Sequence, residues 1–475
     1  MIFKQSIRQN ISWLVGANVV TKPLWFVFLL LSTRVLGPAE FGTFMLAISY
    51  VSVAVGILEG GIDIHTVRVL SADHDRYSFF FPRTVWLKVL SGLIAGVGAY
   101  FFSLAVPSLL PDILLFLAVT IYATSNAVTT HLRFFFRAFE VMKFEAWSIV
   151  AEKTSIIVLC GIALIFFPSA TSFGLFFAAA YVVTLGITVW LVVTHIGKPE
   201  WIPRWEGAFS EIIKPAIPFA TMNIFIVVYL RTGTIMLAVL THSDQLIGYF
   251  NAGYRLVEAF VLFPSMVIAP LYPVFARRVK DVEEVSRLAI DALRVIVAVA
   301  VMISVPIFIF HHQITDLFFG AQYRDAAVSV GILCLTMIPV GINWVVGSLV
   351  AVTGRQPKAN INLLFITIGN VVLLTFLIPI LEVRGAAIAV LVTECAVAFT
   401  NWILVQDYIN VKIAGRIFVK VAFASLLVYL ISGFLHALPI SIALFITVMC
   451  LIIVFISSKL VTVSDVTKAF QERLV

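Results

Sequence analysis

The chain holds 475 residues, 61% of them apolar and only 12% charged. Soluble domains carry about 25% charged residues, so this composition excludes a soluble fold: only lipid can solvate so much apolar surface. The net charge of +7 does not indicate nucleic acid, because the basic residues are scattered between long apolar stretches.

A spanning helix needs about 20 mostly apolar residues. The basic start Met1–Asn10 runs into an apolar stretch too long for a signal peptide, which predicts a retained first helix at 11–35. Further spans are predicted at 41–62, 84–105, 112–134, 145–167, 172–195, 214–240, 246–273, 288–311, 325–350, 359–380, 385–406, 417–436 and 438–458, fourteen in all. Connections are short, the longest being 63–83 and 196–213, which leaves no room for a sizeable soluble domain. Cys160, Cys334, Cys395 and Cys450 each stand alone in an apolar segment and read as small packing residues. His311 and His312 are adjacent, but no third ligand lies near them in sequence. No metal, cofactor or disulfide is expected.

Charge sets the orientation, since cytoplasmic loops collect Lys and Arg. With the N-terminus inside, the inner segments hold 24 of the 32 basic residues, Lys88 and Arg133 among them, and the outer segments only Arg34, Arg324 and Arg384. One missed span would scramble this alternation. It therefore supports the count and places both termini in the cytoplasm, with the chain in the cytoplasmic membrane.

A repeat is also visible. Phe41-Gly42-Thr43-Phe44 opens the second span and Ile247-Gly248-Tyr249-Phe250 the eighth, 206 residues and six spans later. An even offset gives both copies the same orientation, a parallel repeat about an axis along the membrane normal. The expected architecture is all-α: two pseudo-symmetric six-helix lobes at 1–196 and 214–411, a cytoplasmic linker at 197–213, and two further helices with a tail at 412–475.

The first outer turn reads Arg34-Val-Leu-Gly37-Pro38-Ala-Glu-Phe41-Gly42-Thr-Phe44. Gly37 can end a helix in a left-handed conformation, and Pro38 suits the first turn of the next. This string resembles the polysaccharide exporters and lipid-linked oligosaccharide flippases of the multidrug/oligosaccharidyl-lipid/polysaccharide (MOP) superfamily. Leu317-Phe-Phe-Gly320-Ala-Gln-Tyr323, Gly354-Arg355-Gln-Pro357 and Ile378-Pro379 followed by Gly385-Ala-Ala-Ile388 are similar to further turns of the same family. The resemblance implies a V-shaped, multidrug-exporter-like (MATE-like) pair of bundles working by alternating access. It implies a polyprenyl-diphosphate-linked oligosaccharide as cargo, the bilayer as surroundings, and the polymerase and ligase of surface polysaccharide assembly as partners. Relatives in the superfamily export drugs or flip the peptidoglycan precursor.

Charges within the bilayer cost several kcal/mol and mark cavities or partners. The buried cations are Lys22, Lys153, Arg231, Arg255 and Arg294. Arg231 and Arg255 each lie about nine residues from the outer end of spans seven and eight, roughly 13 Å deep at 1.5 Å per residue, on consecutive antiparallel helices. Two converging guanidinium groups would attract a diphosphate. The competing reading pairs Arg255 with Glu258, one turn along. Lys22 precedes Pro23, which should kink the first span and let a cation touch an anionic head group. Lys153 follows Glu152, and adjacent residues point apart on a helix, so these two are not expected to pair. Arg294 is expected to pair with Asp291.

Ion coupling needs a carboxylate that changes state. The deepest candidates are Glu394, Glu152 and Glu258, while Glu59 and Asp63 read as solvated or cavity-mouth residues. Asn223, Asn251, Asn343, Asn360, Asn362, Asn370 and Asn401 can hold sugar hydroxyls or bond neighbouring helices. Trp201, Trp205, Tyr249, Tyr272 and Tyr323 fit the interfacial belt. A flippase for lipid-linked oligosaccharides accounts for these cations better than a drug exporter, which would want an acidic cavity. A membrane-embedded glycosyltransferase or polymerase would need a large catalytic loop, and the chain has no P-loop for ATP.

Overall fold

The computed structural model describes residues 7–59, 61–109, 112–435 and 439–457. Lys4 and the tail 459–475 lie outside the described residues, as do the side chains of Arg8, Glu59 and Asn223. Among the described residues, all regular structure is helical. The helices are α1 (Ile7–Glu59), α2 (Ile62–Ala72), α3 (Tyr77–Ala105), α4 (Ile113–Ala138), α5 (Met142–Phe166), α6 (Ala170–His195), α7 (Lys214–Thr241) and α8 (Asp244–Phe260). They continue as α9 (Leu262–Arg277), α10 (Val282–Ile309), α11 (His311–Phe319), α12 (Ala327–Leu335), α13 (Met337–Val352), α14 (Gln356–Val405), α15 (Val411–Leu435) and α16 (Ile440–Ser457). The chain divides into two compact units, Met1–Gly248 and Tyr249–Val475. Helix α7, which packs on α1, therefore groups with the first unit.

Among the described residues, ten helical segments are long and apolar enough to cross a membrane. Two of them join a pair of expected spans across one interruption, at Gly37 in α1 and at Glu382 in α14. Two shorter apolar helices, Val227–Thr241 and Ile440–Phe455, fall where spans seven and fourteen are expected. The protein is an integral, multi-pass membrane protein.

Helices suit this solvent because they satisfy their own backbone groups. Hydroxyls inside them bond back to the preceding turn, as Ser32 does to Phe28 and Ser49 to Met45, at 2.8 and 2.7 Å. Small residues bring helices close. Gly92 and Gly96 of α3 lie against Thr124 and Thr120 of α4, where an added Cβ would come within 2.4 and 2.5 Å of the threonine side chains.

Three expectations are corrected. Gly37 has the positive φ of 75°, but its ψ of 170° is extended, so the break is a sharp corner and not a left-handed helical cap. Residues 63–83 are not a loop: α2 and the start of α3 occupy them, because Ile62, His65, Thr66 and Leu70 form one buried face too polar to register as a span. Tyr249 and Tyr323 do not face outward as belt residues would. They are buried against each other in the second unit with ring centroids 5.8 Å apart, whereas Trp201, Trp205 and Tyr272 are exposed.

Candidate functional site

The first unit encloses a cavity of about 230 Å³ between α1, α4 and α7. Ser52, Tyr122, Asn126 and Arg231 supply its polar lining, with Val55 and Gly56 beside them. Gly56 keeps the wall thin, since Val227 lies 3.0 Å from where its Cβ would stand. Among the described residues, Arg231 makes no ion pair. A half-buried guanidinium facing a cavity beside a hydroxyl and an amide is equipped to bind an oxyanion in bidentate fashion.

A second group of charges joins this cavity through two tyrosines. Tyr122 stacks edge-on against Tyr181, with centroids 4.7 Å apart, and the Tyr181 hydroxyl donates to Glu152 at 3.4 Å. Glu152 accepts from Arg133 of α4 at 2.7 Å and from Lys153 at 2.6 Å. The expectation that Glu152 and Lys153 do not pair is thus wrong, because the long lysine chain curls back across the helix surface. Arg133, counted among the loop residues, is likewise inside the bundle. It also bonds Ser148 through its Nε at 2.9 Å. The Lys153 ammonium rests 4.7 Å over the ring of Trp25, and Lys22 feels its charge. Among the described residues, Lys22 has no ion-pair partner. The structure therefore gathers Lys22, Lys153, Glu152 and Arg133 into one network of the first unit, linked through Tyr181 and Tyr122 to the cavity of Arg231.

In the second unit, Arg255 donates to Glu258, so both are engaged in one i,i+3 pair. Arg294 and Asp291 pair at 3.2 Å. Glu394 is buried in α14 beside Thr393, which accepts from Asn370 at 2.7 Å. Asn401 donates to Asn343 at 2.8 Å, which ties α14 to α13. A cavity of about 290 Å³ is lined by Ile268, Tyr272, Asn343, Trp344, Gly347 and Ser348. Two aromatic rings with an amide and a hydroxyl are the groups that bind a neutral sugar ring.

One charged cluster was not anticipated. Asp63, read as solvated, and Lys88, read as a loop residue, pair at 3.2 Å, and His131 bonds Asp63 at 2.6 Å. Lys88 is 1% exposed. The signal was present in sequence as a lysine and a histidine each set within an apolar run, but their shared carboxylate lies on a third helix.

Comparison with known proteins adds the family. Residues 7–279, more than half of the chain, match the family model described as polysaccharide biosynthesis protein. A comparison with curated proteins gives no match. Among solved structures, the lipid II flippase MurJ in an inward closed conformation is 13% identical with a TM-score of 0.73, over 94% of this chain and 97% of that one. An inward-facing multidrug resistance MATE family transporter is 14% identical with a TM-score of 0.60, over 82% and 95%. A MOP superfamily transporter from Pyrococcus furiosus, described for the reverse polarity of its binding pocket, is 14% identical with a TM-score of 0.57, over 85% and 96%. The chain belongs to the polysaccharide biosynthesis protein family and is built on the helical fold that MurJ and the MATE transporters share.

Proposed function

We propose that the protein is a flippase that moves a polyprenyl-diphosphate-linked oligosaccharide from the cytoplasmic to the outer leaflet by alternating access, for assembly of a surface polysaccharide such as O-antigen, capsule or exopolysaccharide. The observation that carries this reading is Arg231 at a cavity wall with no ion pair among the described residues. Its charge is left for a ligand, and a diphosphate is the ligand that repays it. Lys22, Lys153 and, in the second unit, Arg255 stay as further candidate cations for the head group. Glu394, Glu152 and Glu258 stay as candidate coupling carboxylates. The alternation of basic segments supports both termini in the cytoplasm, and membership of the family supports partnership with the polymerase and ligase of the pathway.

Two outcomes test this. Removing a charge-assisted contact to phosphate costs about 1.5–3 kcal/mol, so Arg231→Ala should lower polysaccharide output about tenfold or more at unchanged protein level. Normal output from that variant sinks the cation site. Deleting the gene should leave the lipid-linked oligosaccharide on the inner leaflet, identified by mass spectrometry of extracted polyprenyl diphosphates. The likeness to MurJ gives a second reading, the peptidoglycan precursor as cargo, and the sugar found in that same extract separates the two.

A further inference from the structure

We propose that Asp63 and His131 form a reversible proton-binding site whose state controls how firmly α2 is held in the first unit. The site is built on the protein itself and makes no assumption about cargo. The His131 ring is fully buried between α2, α3 and α4. Its Nδ1 lies 2.6 Å from Asp63 Oδ1, and its Nε2 lies 2.7 Å from Thr84 Oγ1. A nitrogen and a carboxylate oxygen this close need one proton between them. The second nitrogen faces a hydroxyl that can serve either state. With the ring neutral, Thr84 turns its hydroxyl hydrogen to Nε2. With the ring protonated, Nε2–H donates to Thr84, and Thr84 donates to the Phe80 carbonyl at 2.9 Å. One proton is gained from solvent, no bond between heavy atoms changes, and no polar group is orphaned in either state.

The surrounding charges oppose one another. Burial and the Lys88 ammonium disfavour an imidazolium, and the Asp63 carboxylate favours it. Burial alone would raise the Asp63 carboxyl, yet Lys88 beside it and the bond from His131 outweigh this and hold it at about 2. The pair therefore gains and loses its proton as one unit. Arg137 of α4 adds its charge at longer range while paired with Glu145, and Glu59 lies nearby in sequence with its side chain outside the described residues. Asp63 is 21% exposed and gives the pair contact with water.

Asp63 sits on α2, which starts at the left-handed Gly61. The rest of α2 contributes His65 and Arg68 to a cavity of about 370 Å³ that Asp73 and Arg76 also line, Arg76 being paired with Glu211. Protonation turns the tie between α2 and α4 from a hydrogen bond of a neutral ring to a carboxylate into an ion pair, which adds charge–charge attraction to the same contact. The proton state thereby reaches the α2 wall of that cavity.

The test uses full-length protein in lipid nanodiscs with nitrogen-15-labelled histidine. The His131 signal, one of eight, is assigned by loss in His131→Gln or His131→Asn. Its imidazole nitrogens should convert from neutral to charged as the pH is lowered from about 8 to the acid limit of the folded protein. Thr84→Val, which leaves Nε2–H without an acceptor, should move that midpoint down by about one pH unit. Hydrogen exchange of α2 amides, corrected for intrinsic rates, should slow on the acid side of the midpoint. A ring that keeps one form across the range, or α2 exchange that ignores the transition, overturns the proposal. Neither readout needs cargo, so failure here and failure of the flippase reading are told apart.

Discussion

Replacing Gly248 by alanine should cost about 3 kcal/mol or more and collapse the yield of monodisperse protein. The reason is a contact of backbone on backbone. A Cβ on Gly248 would stand 1.9 Å from the Pro38 carbonyl oxygen, and one on Gly42 would stand 1.8 Å from the Asp244 carbonyl oxygen. Main chain cannot swing aside as a side chain can, so either substitution must push the start of α8 away from α1. The Thr43 hydroxyl, 2.9 Å from Asp244 Oδ2, locks the same crossing and would be pulled apart with it. Gly98 and Gly186 serve as controls, because nothing lies within 4 Å of their added Cβ. Alanine there should be neutral or stabilising by up to about 1 kcal/mol, since it favours the helix. Thermal unfolding followed by size-exclusion chromatography compares the four variants. If Gly248→Ala runs and melts like the controls, the close crossing is not a determinant of this fold.

That crossing also shows what was legible in the sequence. The two short strings beginning at Phe41 and Ile247 were readable as copies of one motif, but not that Gly42 of one copy lies against Gly248 of the other. Hydropathy is a local property and found the helices, including the pairs joined at Gly37 and Glu382. Arg231 was legible for the same reason, as an arginine with apolar neighbours on both sides. Its cavity was not, because α1 and α4 supply most of the wall. Lys88 and Arg133 were misplaced because each lies near a span end, where charge counting assigns it to a loop. What draws each inward is a carboxylate on another helix, Asp63 and Glu152, and that pairing is a property of the fold.

Glu152→Ala should be the most damaging single change to the charged network, at about 3–5 kcal/mol of stability. The carboxylate is 6% exposed and binds two cations at once. Its removal leaves the Arg133 and Lys153 charges facing each other in a low-dielectric interior, with Lys22 in electrostatic range. Arg133→Ala should cost less, because Glu152 keeps Lys153 and the Tyr181 hydroxyl. Adding Arg133→Ala to Glu152→Ala should then restore part of the loss, since it removes one of the stranded cations, and the double-mutant cycle measures that coupling. Thermal unfolding of the purified variants gives the ranking. Glu152→Gln separates scaffold from coupling group. It keeps an acceptor for Arg133 but can no longer exchange a proton. If Glu152 only holds the cations, the glutamine variant should lose stability yet keep polysaccharide output per folded molecule. If Glu152 releases its partners during transport, output should fall further than stability explains. A Glu152→Ala variant as stable as the unaltered protein would mean that water already screens the network, and the cavity beside Arg231 would then extend through Tyr122 and Tyr181 to Lys153.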